Sequence, residues 1–446
     1  MSQSAITHLQ TAIQSATISY PDRLRMDFAV FEHFLSDLKT NYPLTFSQGI
    51  VERVADYSLL ITLNGTNPTL DPVAFMGHYD VVPVKPEGWI TDPFSGEIKD
   101  GYLYGRGTLD MKGQVIATLE AMEALLADKV SFERSIYLLF GHNEETGSEM
   151  NDSGATLTRD LLKSRGIHFY AVIDEGGAVI EGKDMGIEGL VGMIGIAEKG
   201  YLDLKLSAKQ SGGHASMPPE RSALYDVFEG AMTLEAKKFD AAFNAATRAM
   251  FTALAPHMKG LRRFTFSHLD WFEGFVLKQL IQSPQTAALV RTTSVMTMAS
   301  GSKAPNVLAQ TGEVIVNCRL VPGDSVAQVV ARTQAKVGPK VKVEVITGTE
   351  PTDVSPVDHP AFVTLQKSIQ SIYPELNVLA PYLVVGATDS RVYHGMADGV
   401  YRIQPFLHSY QDRGTVHADN ERILIEDYLK GITLFKTLMT ELSKAN

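Results

Sequence analysis

Apolar residues along this chain fall into two rhythms, and the rhythms predict its elements. From Met26 to Lys39, Phe28, Val30, Phe31, Phe34, Leu35 and Leu38 recur at helical spacing, which predicts a helix with one buried face. Leu44 to Leu63 alternates in the manner of two strands, and Asn64-Gly65 closes them as a turn. The run from Val73 to Met76 is wholly apolar and ends at Gly77-His78-Tyr79-Asp80, so it reads as a buried strand that stops where a polar pair emerges. Ser135–Phe140 and Phe169–Ile173 have the same character. Helices are expected between them, over Val115–Ala127 and Leu157–Arg165. Wholly apolar strands alternating with helices predict an α/β sheet covered on both faces.

From Val191 the texture changes. Tyr201 to Leu206 alternates as a half-exposed antiparallel strand does, followed by helical stretches around Ala223–Leu254 and Trp271–Leu289 and by strands at Val295–Ala299, Glu313–Leu320 and Val341–Ile346. This predicts a small α+β sandwich inserted into the first domain. Thr349 to Pro356 reads as the return linker. Ala361–Ile372 is then helical, a strand leads into the Gly386-Ala387-Thr388-Asp389-Ser390 loop, and an amphipathic helix closes the chain near Leu442. The expected boundaries are 1–195 and 351–446 for the two parts of the first domain and 196–350 for the insertion.

Composition narrows the setting. At 446 residues the chain is too long for one ordinary core, and 44% hydrophobic with 20% charged residues is the balance of a soluble globular protein. A net charge of -11 argues against nucleic acid or an anionic membrane as the main partner. Cys318 is the single cysteine, which rules out an internal disulfide and fits a reducing compartment. The first residues show no basic n-region or apolar h-region, and no run approaches the ~20 apolar residues of a membrane span. A cytoplasmic protein is expected.

The candidate chemistry lies at strand ends. His78 and Asp80 stand two apart, so on an extended backbone they share a face. Asp110 precedes a buried helix N-terminus, where it serves either as an N-cap or as a ligand. Glu144-Glu145 and Asp174-Glu175 each follow a buried strand, where paired acids are expensive unless a positive charge balances them. Three strands thus deliver His or acids to one edge, where open α/β sheets bind ligands. With a later His and no cysteine, the set suits two Zn²⁺ or similar ions sharing a carboxylate, an apparatus that polarises a carbonyl and activates water for amide hydrolysis.

In order along the chain, Gly77-His78-Tyr79-Asp80-Val81-Val82-Pro83, Gly105-Arg106-Gly107 through Asp110, Glu144-Glu145, Asp174, Gly213-His214 and His417 resemble the motifs of the di-zinc carboxypeptidase and aminoacylase family. That family includes carboxypeptidase S, carboxypeptidase G, aminoacylase and succinyl-diaminopimelate desuccinylase. The Trp89–Gly96 stretch, whose aromatics are expected to form a lid, and the Asp174-Glu175-Gly176-Gly177 turn look closest to the carboxypeptidase S and N-acyl amino acid hydrolase branch. The resemblance implies an α/β mixed-sheet zinc-peptidase catalytic domain with an inserted lid and dimerisation domain. It also implies that His78 and Asp174 bind one metal, Glu145 and His417 the other, and Asp110 bridges them, with Glu175 the alternative to Asp174. Asp80 would orient His78, and Glu144 would be the general base that takes a proton from the bridging water. The Asp110-Met111 peptide is expected to be cis. His214 resembles the histidine that stabilises the oxyanion, often across a homodimer. Asn306 and Arg319 resemble a clamp for the substrate carboxylate, and Gly386, Thr388 and Asp389 the loop lining the substrate pocket.

Two positions depart from the family pattern. Tyr79 replaces a smaller or Met residue, and Asn143 an Asp. His142, His394 and His408 read as structural or pocket-lining. The expected enzyme is a zinc-dependent amide hydrolase, with Co²⁺ or Mn²⁺ as possible substitutes. It would cleave a C-terminal amino acid from short peptides or the acyl group from N-acyl amino acids. The alternatives are a deacylase of a succinylated or acetylated diamino acid and a metal-free binding protein on the same fold.

Overall fold

The computed structural model describes residues 2–146 and 153–445. Gly147 and Ser148, at the end of the Glu144-Glu145 segment, and the side chain of His408 lie outside the described residues. The chain divides into two compact units, one of residues 1–196, 355–382 and 388–446, the other of 197–354 and 383–387.

The first unit is built on a mixed sheet. Its strands run in the order Ile50–Val54, Ser58–Leu63, Ile136–Gly141, Val73–His78, Ala171–Asp174, Val400–Arg402, Leu190–Glu198 and Leu376–Val384, with Ala178–Glu181 pairing on Leu190–Glu198. Val73–His78 pairs in parallel with both Ile136–Gly141 and Ala171–Asp174, so three carboxyl ends emerge side by side. Every residue of Val73–His78 is buried, as expected for a strand with neighbours on both edges and cover on both faces. Lys112–Ala127, apolar nearly all round, is the central covering helix. The Leu44–Leu63 region differs from expectation: Pro43–Gln48 is a short helix, and only Ile50–Val54 and Ser58–Leu63 are strands. Pro43 supplies the preset first helical position, which alternation alone does not reveal.

The second unit carries a four-stranded antiparallel sheet in the order Thr293–Ser300, Thr311–Leu320, Gly200–Lys209 and Lys342–Thr349. One face is packed by helices Ala223–Ala236 and Val326–Val337 through Leu202, Leu204, Leu206, Val227, Val316 and Val329. The alternation of Thr311–Leu320 buries every second residue, Cys318 among them.

Candidate metal centre

Strand ends and one turn bring the acidic side chains together in the first unit. His78 is the last residue of its strand and buried. Its Nδ1 lies 3.0 Å from the Asp80 main-chain oxygen and 3.4 Å from Asp80 Oδ1, which fixes the proton on Nδ1 and leaves Nε2 free to ligate. Nε2 lies 3.1 Å from Asp110 Oδ1 and 3.3 Å from Glu175 Oε1. The other oxygen of Asp110, Oδ2, is 3.1 Å from His417 Nε2, which in turn is 3.1 Å from Glu145 Oε1. Two donor triads result, His78-Asp110-Glu175 and Asp110-Glu145-His417, each with its ligand atoms within 4.8 Å of one another. Asp110 gives one oxygen to each triad, the geometry of a bridging carboxylate, and the imidazole and carboxylate donors suit Zn²⁺ or a similar divalent ion.

Asp110 sits in a turn that glycine makes possible. Gly107 has φ +91°, and a Cβ there would lie 2.8 Å from Val81. Asp110 is not a helix cap. Met111 takes that place without a side-chain cap bond, so the Asp110 carboxylate stays available. The Asp110-Met111 peptide is cis.

It is Glu175 and not Asp174 that the structure brings to His78 and Asp110. The buried Asp174 carboxylate instead accepts the Ser390 N–H at 3.0 Å. The Asp80 carboxylate accepts the N–H groups of Glu144 and Glu145 at 3.1 Å each and the Ser19 hydroxyl at 2.6 Å, so it anchors the glutamate turn as well as His78. Glu144 belongs to neither triad, and its Oε2 lies 4.0 Å from His78 Nε2. Thr388 and Asp389 are buried in this unit. Asp389 packs against Gly141, where a Cβ would lie 2.6 Å from its Oδ2.

The neighbouring departures have structural explanations. Tyr79 stacks on Phe34 with ring centroids 4.6 Å apart and donates its hydroxyl to Tyr57 O. Asn143 accepts the Gly154 N–H. His142 is held at Ser58, burial pulling its pKa down to about 4, and His394 lies beside Arg402 with its own pulled down to about 3. In the expected lid loop, Ile90 N–H donates to Asn420 Oδ1 and the Arg106 guanidinium lies over the Trp89 ring, so that loop packs beside the His417 turn.

In the second unit, His214 pairs with Val307, and Ala215 N–H donates to the Asn306 oxygen at 3.0 Å, which makes His214 and Asn306 neighbours. Arg319 lies over the Tyr201 ring. It is eight residue steps along its strand from Thr311, the residue paired with Lys209 near the His214 end. At the rise of a β-strand those steps separate the two ends by about 27 Å. Gly386 belongs to this unit. Two residues around Asp110 that the sequence did not single out are Arg106 and Glu421, which pair with each other. The only signal for Glu421 is its spacing of two from buried Ile423, too short a pattern to stand out.

The site's proton affinities report a shortage of positive charge. Burial, with Asp389, Glu175 and Glu145 nearby, pushes Glu144 well above the usual carboxylate range and outweighs His78. Burial and the Asp110 charge push Glu175 up to about 8. Hydrogen bonds to Asp110 and Glu145 raise His417 to about 10. Against burial, bonds to His417 and His78 hold Asp110 low. Glu175 binds its proton more tightly folded than at the ordinary 4.5, so its stabilising contribution is complete below that pH and is lost as pH rises through about 8. His417 adds the same sign between its ordinary 6.5 and about 10. Chelator-treated protein is therefore expected to lose stability between pH 5 and 8 in urea unfolding relative to Glu175→Gln, which lacks that proton, while His142 and His394, held below the ordinary 6.5, shift both proteins alike; saturating Zn²⁺, which displaces the proton, should oppose the loss. A chelated parent that gains stability relative to Glu175→Gln over that range contradicts the assignment.

An α/β sheet that gathers two histidines and several carboxylates beside its carboxyl edge presents donors suited to a divalent metal. The chain belongs to Peptidase family M20/M25/M40, whose profile matches residues 74–441. It is 33% identical over 426 residues to the mouse N-fatty-acyl-amino acid synthase/hydrolase PM20D1, covering 94% of this chain and 84% of the mouse protein. It is 31% identical over 427 residues to the Dictyostelium discoideum protein described as "Probable carboxypeptidase S-like 2", covering 95% and 81%. In fold it is similar to an M20 family metallo-carboxypeptidase of Sulfolobus solfataricus, with TM-score 0.71, 18% identity and 98% and 99% of the two chains covered. It is also similar to human carnosine dipeptidase 1, with TM-score 0.63, 16% identity and 100% and 97% covered. Among the described residues no helix is long and apolar enough to cross a membrane.

Proposed function

We propose that this chain is a dinuclear zinc amide hydrolase that releases an amino acid bearing a free α-carboxylate, from an N-acyl amino acid or from the C-terminus of a short peptide. The observation that carries the reading is Asp110, whose two oxygens each lie 3.1 Å from a different histidine, His78 and His417. His78, Asp110 and Glu175 would hold one cation and Asp110, Glu145 and His417 the other, with Glu175 in the place that sequence reading favoured for Asp174. When bound, the cations polarise the scissile carbonyl and lower the pKa of the attacking water. Co²⁺ and Mn²⁺ suit the same donors.

The remaining steps fall to side chains. Glu144 accepts the proton from the attacking water and returns it to the leaving nitrogen, and its burial favours holding that proton in between. His214 stabilises the developing oxyanion, and Arg319 with Asn306 grips the α-carboxylate. A homodimer through the second unit is part of the same proposal. The relatives' names, N-fatty-acyl-amino acid synthase/hydrolase and carboxypeptidase S-like, favour an acylated or peptidyl substrate over a succinylated diamino acid.

A panel of N-acyl amino acids and dipeptides, each paired with its C-terminal amide, tests the reading in the presence of Zn²⁺, Co²⁺ or Mn²⁺. The acids are expected to turn over and the amides to be poor substrates. In Arg319→Ala, KM for the acids should rise roughly 10- to 100-fold with kcat nearly unchanged, the loss of one charge-assisted contact made equally in ground and transition states. Equal effects on acids and amides would remove the clamp.

A further inference from the structure

Next to the donor triads lies an ion pair that neither of them uses. Arg106 and Glu421 are both almost wholly buried, at 3% and 0% exposed, and Glu421 Oε2 accepts Arg106 Nη1 at 2.6 Å. The other Glu421 oxygen accepts the N–H groups of Leu109 at 2.8 Å, Gly107 at 3.1 Å and Asp110 at 3.2 Å. The Glu421 main-chain oxygen takes the Gly105 N–H at 2.8 Å, and Arg106 Nη2 reaches the Ala418 oxygen at 3.1 Å. Two loops are thereby joined at several points. One ends in Asp110, and the other contains His417. A buried ion pair is a poor route to stability, because the desolvation of two charges offsets most of their attraction. Stability therefore does not explain why charges stand here.

What the pair does fix is distance. Asp110 and His417 come from remote parts of the chain, yet Asp110 Oδ2 and His417 Nε2 lie 3.1 Å apart. The second loop would not hold this shape unaided, since His417 and Asn420 have φ of +59° and +63° in the left-handed region. Such backbone persists where its surroundings over-determine it. From the Asp110 side, Arg106 and the N–H groups of Gly105, Gly107, Leu109 and Asp110 supply those surroundings through Glu421, and the pairing of Arg422 with Tyr104 extends the same seam.

We infer that Arg106 and Glu421 are positioning residues that set the separation of Asp110 from His417, and so the affinity for the divalent cation of the Asp110-Glu145-His417 triad. The His78-Asp110-Glu175 triad shares Asp110 but not the His417 loop, so it depends on the pair less. The inference rests on the two-cation reading above.

Titration of chelator-treated full-length protein with Co²⁺, followed by calorimetry and by visible absorption, tests it. The parent is expected to take up two equivalents. Glu421→Gln keeps the shape and removes the charge; Arg106→Lys keeps the charge pair and loses the second arm to Ala418. In both, the first equivalent should bind within about threefold of the parent and the second about 10- to 100-fold more weakly, with altered absorption for that equivalent alone. Should Glu421→Gln fail to fold, Arg106→Lys carries the same test. Two equivalents bound at parental affinity in both variants overturn the inference and leave the two-cation reading intact. Equal weakening of both equivalents also overturns it, as a general loss of packing. A parent that takes up fewer than two equivalents overturns both readings together.

Discussion

Glu144→Gln is expected to lower kcat by about 10²- to 10⁴-fold, the usual contribution of a positioned general acid-base, while metal uptake and thermal unfolding stay at parental values. Glu144 stands in neither triad, so its charge is not needed to hold a cation. Its main chain is anchored where the reaction needs it, through the N–H donated to Asp80 Oδ1 at 3.1 Å. Its Oε2 lies 4.0 Å from His78 Nε2, close to the triads without joining them. Burial and neighbouring carboxylates raise its proton affinity, which favours the protonated state that must survive until the leaving nitrogen is ready. Gln keeps the volume and cannot accept a proton. Metal analysis, unfolding and turnover measured on one preparation separate base from ligand: activity within a few fold of the parent rejects Glu144 as the base, and loss of metal makes it a ligand instead.

Why so much of this was readable in the sequence, and why some was not, comes down to burial. Val73–His78 and Ile136–Gly141 are buried on nearly every side, so their residues had to be apolar and their polar ends stood out. The Ile425–Leu442 helix announces itself by the spacing of its buried face, and Lys112–Ala127, buried nearly all round, by an apolar run too long for a strand. Helix Gly260–Ser267 buries only Thr265 and leaves Leu261 and Phe264 exposed, so its pattern does not report a core. His78, Asp110, Glu145 and His417 are legible through the resemblance of their ordered motifs to the carboxypeptidase and aminoacylase family, and the structure brings them together. The choice between Asp174 and Glu175 could not be made that way. Adjacent residues at a strand end point to opposite sides, and which side meets His78 depends on how Ala171–Asp174 pairs with Val73–His78 and Val400–Arg402. Glu421 was hidden for a related reason: its partners, the Arg106 guanidinium and several main-chain N–H groups, lie over 300 residues away, and a backbone donor leaves no mark on the sequence.

Asp110→Asn is expected to cut metal uptake from two equivalents to at most one and to remove most turnover. The substitution takes one negative charge from both triads at once, since the carboxylate faces His78 with one oxygen and His417 with the other. The fold should survive, because the turn around Asp110 is held through backbone N–H groups on Glu421 and not through the Asp110 side chain. The difference can be read without a substrate. Free Zn²⁺ at a hundredfold over Kd stabilises a protein by about 2.7 kcal/mol per site if only the folded state binds it. The parent should therefore show a large zinc-dependent rise in unfolding free energy, and Asp110→Asn less than half of it at the same free zinc. An equal rise in the two proteins would mean that the cations, if bound, do not share Asp110, and the dinuclear reading would fail at its centre.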